Sequence, residues 1–277
     1  MTADIQQGAT SAVQPRTQHA ADIDDQFSRQ AEMFAAAPAL HNQAALDLLV
    51  EAAEPNPGDR SLDVACGPGT VVAAFARRVR HACGLDATEA MLDEARKLAA
   101  RPALQNVEWR QGDVYALPFD DATFDIVSCR FAFHHFEDPV RAFGEMVRVC
   151  RPGGRIVLCD AIASDDARKA DAFNRMERHR DPSTVEFRPL AFLSGLFALA
   201  GLPAPRQRFY QVPVEREALI AMSFPAGDDR TLLRTMIDQS VDGDTMGLNA
   251  RRHRQTVRFA YPSVILVAVK PRCPVGG

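Results

Sequence analysis

The sequence predicts an α/β protein built on a doubly wound parallel sheet, and three observations carry that expectation. From residue 60 to residue 160 short apolar runs alternate with helix-patterned stretches, the rhythm of repeated strand–helix–strand units. The connections between them are short. The first run, "SLDVACGPGT" at residues 61–70, ends in two glycines one proline apart, a loop where backbone can approach a ligand and which opens into a helix N-terminus. With 277 residues, 47% hydrophobic and 25% charged, the chain can bury one sizeable core with an added lid.

In chain order, residues 1–20 are rich in Ala, Gln, Thr and Ser without an apolar period, which reads as a disordered leader. Ile23, Phe27, Phe34, Leu40, Ala44, Leu48 and Leu49 then recur at helical spacing with a break near Pro38. Residues 21–58 are therefore expected to form two helices, closed by "EPNPGDR". The core, residues 59–160, reads as strand 61–65, helix 70–79, strand 81–85, helix 89–100, strand 107–111, strand 124–129, helix 139–150 and strand 155–160. Beyond residue 161 the rhythm changes. A charged helix over 165–180 precedes an apolar one over 189–200 that Gly201 stops, then a strand over 206–214, helix over 217–240 and a long final strand in "QTVRFAYPSVILVAV". Residues 161–272 are expected to complete the same domain's sheet and to supply lid helices.

Composition narrows the partners. The formal net charge is −4 and the pI is near 6.0, with cations scattered rather than clustered, so no nucleic-acid footprint is expected. No run reaches the length of a membrane span and no export signal opens the chain. Cys66, Cys83, Cys129, Cys150, Cys159 and Cys273 show no C-x-x-C spacing and read as buried free thiols in a reducing cytoplasm. No metal site is expected; the partner is a small molecule, and a homodimer is compatible with the sequence.

In an open parallel sheet, ligands sit at the carboxyl ends of the strands, and here those ends carry acids. Asp63 lies in the first strand, Asp86 ends the second, Asp113 follows the third, and the fourth runs into "CRFAFHHFEDP". Asp86 falls 19 residues after Gly67, a spacing at which an acid accepts both hydroxyls of a ribose. The dinucleotide pattern G-x-G-x-x-G fails, because Val72 stands at its third glycine. Asp63 would also repel a pyrophosphate. A nucleoside joined to a cationic amino group satisfies both acids.

Five stretches in register, "LDVACGPGT", "GLDATEAMLDEAR", "WRQGDVYALPF", "FDIVSCRFAFHHFEDP" and "RVCRPGGRIVLCD", resemble the successive motifs of class I S-adenosylmethionine-dependent methyltransferases, of the branch similar to ubiquinone and menaquinone biosynthesis methyltransferases. The resemblance covers residues 60–160. It implies a Rossmann-like seven-stranded sheet with the last strand, Thr256 to Val269, antiparallel between the strands at Arg155 and Arg206; the apolar composition of that strand supports an interior position. It implies S-adenosyl-L-methionine as cofactor and methylation of a small-molecule acceptor at carbon, nitrogen or oxygen. Asp63, with backbone of Cys66 and Gly67, would hold the methionine ammonium, and Gly69 would let the loop pass beneath the cofactor. Asp86 would accept from the ribose hydroxyls, with Ala87 and Met91 counted among the cofactor-binding residues. Asp113, with Val114 backbone, would meet the adenine amino group. Cys129 and Arg130 would line the methionine end through backbone atoms. Phe34 and Phe27 would reach over the cofactor from the N-terminal helix, a place where ordinary core packing would also put them.

A sulfonium is already a strong methyl donor, so alignment and water exclusion can suffice. The residues suited to removing an acceptor proton at neutral pH are His134 and His135. Adjacent residues in an extended segment point to opposite sides, so at most one faces the cofactor, His135 ahead of His134. The bland alternative is a packed turn, since Asp138 and Pro139 form an N-cap pattern. The acceptor should lie beneath the N-terminal helices, residues 161–202 and residues 223–254. Arg175, Arg178, His179 and Arg180 either meet an anionic acceptor or form a solvated face, and "RRHR" at 251–254 shares that ambiguity. Two other classes stay open. A nicotinamide oxidoreductase shares the sheet and the ribose acid but leaves Asp63 unexplained. A cofactor-binding protein without transfer, regulatory or cyclase-like, keeps every motif.

Overall fold

The computed structural model describes residues 18–35, 42–101, 104–225, 227 and 229–272, without the side chains of residues 18–22, 24 and 34. The expected leader through residue 17, the break at Pro38 and the Cys273 thiol lie outside the described residues. Two helices, α1 (Gln18–Ala35) and α2 (Gln43–Ala52), precede β1 (Arg60–Val64), α3 (Thr70–Ala76), β2 (His81–Asp86), α4 (Glu89–Ala100) and β3 (Val107–Gln111). There follow β4 (Phe124–Arg130), α5 (Pro139–Val149), β5 (Cys150–Ala161), α6 (Ala167–Arg180), α7 (Leu190–Leu199) and β6 (Arg206–Glu215). The chain closes with α8 (Arg216–Ala221), α9 (Arg230–Gln239), β7 (Arg251–His253) and β8 (Thr256–Val269).

The strands form one sheet in the order β3-β2-β1-β4-β5-β8-β6. Strands β1 to β5 pair in parallel, and β8 lies antiparallel to both β5 and β6, as expected. Alternate residues of each strand face opposite layers. Ile126, Val157 and Ile265 join the core under α2 and α3, while Val127, Leu158 and Leu266 join the core under α5 and α7. Each such fully buried side chain contributes about 1.5–3 kcal/mol. A third cluster, around Phe173, Ile220, Ile237 and Phe259, holds α6, α8 and α9 together.

Three local expectations need correction. The sheet has an eighth strand, β7, paired to the start of β8. Its two-residue turn, Arg254 (φ 56°) and Gln255, lacks the Gly or Asn that marks such turns in a sequence. The helix expected over 217–240 is two helices, because Pro225 and Gly227 fall between α8 and α9. Strand β5 starts five residues early, at Cys150 opposite Phe124, across a register shift. There Gly153 N donates to Lys270 O at 2.7 Å and Lys270 N to Gly154 O at 2.8 Å.

Two features set the site. A buried Arg155–Asp59 ion pair, with Arg155 Nε donating to Ala53 O at 3.0 Å, fastens the α2–β1 connection to β5. The chain order also reverses beside β1, whose neighbours are β2 and β4. That reversal opens a crevice at the carboxyl ends of both strands.

Candidate active site

A cavity of about 560 Å³ fills the crevice and is roofed by Ile23 and Phe27 of α1. Asp63, Cys66, Gly67, Asp86, Ala87, Met91, Asp113, Val114, Arg130 and His135 all line it, so most of the residues proposed from sequence converge on one space. Gly69, Cys129 and His134 are not among its lining residues. Phe34 belongs to α1, but its side chain is not described.

Asp63 lies one residue before the end of β1 with 3% exposure, accepting from Ser128 Oγ at 2.7 Å. Burial pushes its pKa up to about 7, with Asp86 adding to the rise and Ser128 and Arg130 opposing it. A cation arriving beside it would stabilise the charged form and draw the proton off. Asp86 ends β2; its Oδ2 accepts from Gly67 N at 2.8 Å and its Oδ1 from Thr88 N at 2.9 Å. One carboxylate thus fixes the glycine loop and the start of α4 together. Asp113, exposed at the rim, accepts from Tyr115 N at 2.9 Å in a tight turn.

The two loop glycines differ in kind. At Gly67 (φ 51°) a Cβ would meet nothing within 4 Å, which leaves backbone bare toward the cavity. At Gly69 (φ 79°) a Cβ would come within 2.5 Å of Trp109 Cη2. Gly69 therefore serves the packing of the loop on the indole behind it rather than the cavity. Ala65 (φ 53°) and Phe131 (φ 52°), each the first residue beyond its strand, hold left-handed backbone that side chains disfavour. Both line the cavity, and Phe131 N is anchored to Cys159 O at 2.8 Å. Such strain at a strand end was invisible in the sequence.

Cys129 is fully buried in β4, where burial raises its thiol pKa far above the usual range. Its neighbour Arg130 instead places a buried side chain at the cavity, with its guanidinium 4.7 Å from the centre of the Phe131 ring.

The two histidines also part company. They sit in a 3-10 turn, Phe133–His135, not in an extended segment, with ring centres 4.1 Å apart. His134 turns from the cavity: its Nδ1 lies 3.0 Å from Asp160 Oδ1, and its ring stacks on Phe187. His135 faces the cavity with the edge of Phe27 against it, ring centres 5.1 Å apart. Burial, with His134 beside it, lowers its pKa to about 4. The expected cap is present, since Asp138 Oδ1 accepts from Arg141 N at 3.0 Å with Pro139 at the first helical position.

None of the basic residues of "NRMERHRDPST" reaches the cavity lining. Arg175 pairs with Asp171, Arg178 donates to Val185 O, His179 lies beside Asp229 O, and Arg180 donates to Glu177. The residues of that stretch that matter here are Asp181 and Ser183, which back His135. A lone Asp and Ser in a loop carry no sequence signal for that role.

The fold is that of the class I methyltransferases. Residues 62–158 match the family described as methyltransferase domain. It is 29% identical over 246 residues to the uncharacterized methyltransferase YcgJ of Bacillus subtilis (strain 168), covering 88% of this chain and 97% of that one. The crystal structure of YcgJ superposes with a TM-score of 0.77, at 28% identity over 84% of this chain and all of that one. The ubiquinone/menaquinone biosynthesis C-methyltransferase UbiE of Ruegeria sp. (strain TM1040) is 38% identical over 117 residues, 41% of this chain and 47% of UbiE. The chain thus spans about half the length of that relative. A geranyl diphosphate methyltransferase in complex with SAM shares the fold, with a TM-score of 0.56 at 17% identity over 82% of this chain and 84% of that one. The family favours methyl transfer over nicotinamide chemistry.

Proposed function

We propose that the protein transfers the methyl group of S-adenosyl-L-methionine to a small-molecule acceptor. The observation that carries this reading is the pair of acids, Asp63 near the end of β1 and Asp86 at the end of the adjacent β2, beside a bare-backbone loop. The residues fit that cofactor. Gly67 offers a surface without a Cβ, Asp63 is a buried acid suited to an ammonium, and Asp86 is an acid already ordered by two amides. In this reading Asp86 holds the ribose hydroxyls, and Asp113 with Val114 holds the adenine edge.

When bound, the cofactor would supply an electrophilic methyl carbon on a sulfonium, to be taken by an electron pair of the acceptor while the C–S pair leaves with sulfur. The chain's own share is alignment and water exclusion. Ile23, Phe27, Phe131 and Phe136 make apolar walls around that space. His135, with its pKa near 4, is a poor base at neutral pH, so alignment outweighs proton removal. The test is calorimetry with S-adenosyl-L-methionine, followed by mass spectrometry of a metabolite extract incubated with the protein and isotope-labelled cofactor. Micromolar binding and one labelled product support the reading; binding without any labelled product would point to a protein that uses the cofactor without transferring its methyl group.

A further inference from the structure

Helix α7 has the composition of an interior helix on only one interior face. Its ten residues, LAFLSGLFAL, include no charged side chain, and a helix that is apolar all round belongs out of water. Leu193, Leu196 and Phe197 are buried in the core that α7 shares with β4, β5 and β8. The opposite side is open. Leu199 is 74% exposed and Phe192 37%, Ala191 and Ala198 are exposed beside them, and at Gly195 between them a Cβ would meet nothing within 4 Å. The Arg188 guanidinium, 5.0 Å from the centre of the Phe192 ring, covers part of that ring.

The uncharged surface continues onto the sheet. Strand β6 is outermost at that end, with Phe209 opposite Val264 and Gln207 opposite Leu266 of β8. Residues directly opposite each other point to the same face, and Val264 and Leu266 belong to the core under α7. Phe209, 57% exposed, therefore stands on the α7 side of the sheet with Gln207 and Gln211, while Arg206 and Arg208, opposite Val267 and Ile265, stand on the other. Three of the seven large apolar side chains exposed among the described residues thus share one uncharged face, in a chain that is 25% charged.

A charged partner would lose its hydration on this face without gaining a counter-ion. A second copy of the same face is uncharged, and its shape is complementary. Positions 192, 195 and 199 follow one stripe at three- and four-residue steps, with the bulky pair on either side of the bare glycine turn. An antiparallel crossing of two such helices about Gly195 sets Phe192 of each copy beside Leu199 of the other, and a glycine at the crossing lets the backbones approach closely. A specific dimer hides about 600–1,000 Å² per copy. Two phenylalanines and a leucine this exposed, with the small residues and glutamines around them, reach about that area.

We propose that the α7–β6 face is the interface of a homodimer, formed by antiparallel packing of α7 on α7 about a two-fold axis at Gly195. The interface stands whether or not the protein transfers a methyl group.

Sedimentation equilibrium of the full chain tests it. The expected mass is twice the 30.4 kDa of one chain. A monomer mass even at about 100 μM, where a specific dimer is saturated, leaves the face to some other partner and overturns the homodimer. Phe192→Glu and Leu199→Lys should each weaken dimerisation about 100-fold or more, by burying a charge without a partner. Mixed in equal amounts, the two variants should dimerise again, because their new charges then face each other across the crossing, and recovery also shows that both chains are folded. Arg208→Glu, on the other face of β6, should leave the mass unchanged. A dimer that neither α7 variant weakens, a mixture that stays monomeric, or a dimer lost in Arg208→Glu overturns the interface.

Discussion

The two halves of the cavity are assembled in opposite ways. The proposed donor half is local: Asp63, Gly67, Asp86 and Asp113 follow one another along β1, β2, β3 and their loops, and each sits near a strand end or in the loop beside it. The acceptor half gathers Phe27 from α1, Phe131 and His135 from the β4–α5 connection, and Asp181 and Ser183 from the α6–α7 connection. In the proposed reading, the donor half recognises charge and hydroxyls with backbone and carboxylates. The acceptor half is a wall of rings with one neutral imidazole. A binding function that recurs can be written into a short stretch of chain, whereas a specificity assembled from distant segments takes its meaning only from the folded arrangement.

The largest effect that sharpens this contrast is in pH. Asp63, raised from 3.8 to about 7, binds its proton more tightly folded than unfolded, so it makes the native state less stable as pH rises from about 4 to 7. His135, lowered from 6.5 to about 4, does the reverse: its contribution is present above about pH 6.5 and is lost as pH falls toward 4. At about 1.4 kcal/mol per unit, Asp63 is worth about 4–5 kcal/mol and His135 about 3–4 kcal/mol, with opposite sign. Urea titrations should show Asp63→Asn gaining on the wild type as pH climbs from 4 to 7. His135→Gln should gain on it as pH falls from 6.5 to 4. Parallel curves would mean that neither group is perturbed.

Next come the glycines. Gly69→Ala drives a Cβ into Trp109 from left-handed backbone and should cost about 3 kcal/mol of stability. Gly67→Ala, with open space before it, should cost about 1 kcal/mol and instead weaken cofactor binding; denaturation and calorimetry on the pair separate the roles, and equal stability losses would erase the distinction. Asp86→Ala should raise the cofactor dissociation constant about 10- to 100-fold through lost hydrogen bonds to a charged group, and an unchanged value would remove that acid from the site. The smallest effect is His135→Ala, which should lower turnover less than about tenfold and leave the cofactor dissociation constant in place. A loss of a hundredfold or more would make His135 a base after all.

Much of the donor half was legible because its signals are local. Asp86 is readable from its distance to Gly67, and β8 from its apolar length and the resemblance that placed it. What escaped was set by the fold. His134 and His135 look equivalent in sequence, yet Asp160, 26 residues away, claims one and Ser183, 48 residues away, backs the other. Gly69 reads as a cofactor glycine in the sequence, where nothing shows that Trp109 packs against it. The arginines of "NRMERHRDPST" attracted attention by their charge, while Asp181 and Ser183 beside them offered no pattern. The turn after β7 was hidden for the same reason, since Arg254 adopts its backbone without a residue that advertises it.

Trp109 has a further consequence. It is the single tryptophan of the chain, and its indole lies where a Cβ at Gly69 or at Gly84 would come within 2.5 or 2.7 Å of ring carbons. The one strongly fluorescent side chain therefore rests against the back of the loop whose front faces the cavity. Displacement of that loop should change its emission from behind, without stacking by a molecule on the other side. The protein carries a built-in optical gauge of its donor loop, readable in real time, without a label and without an acceptor.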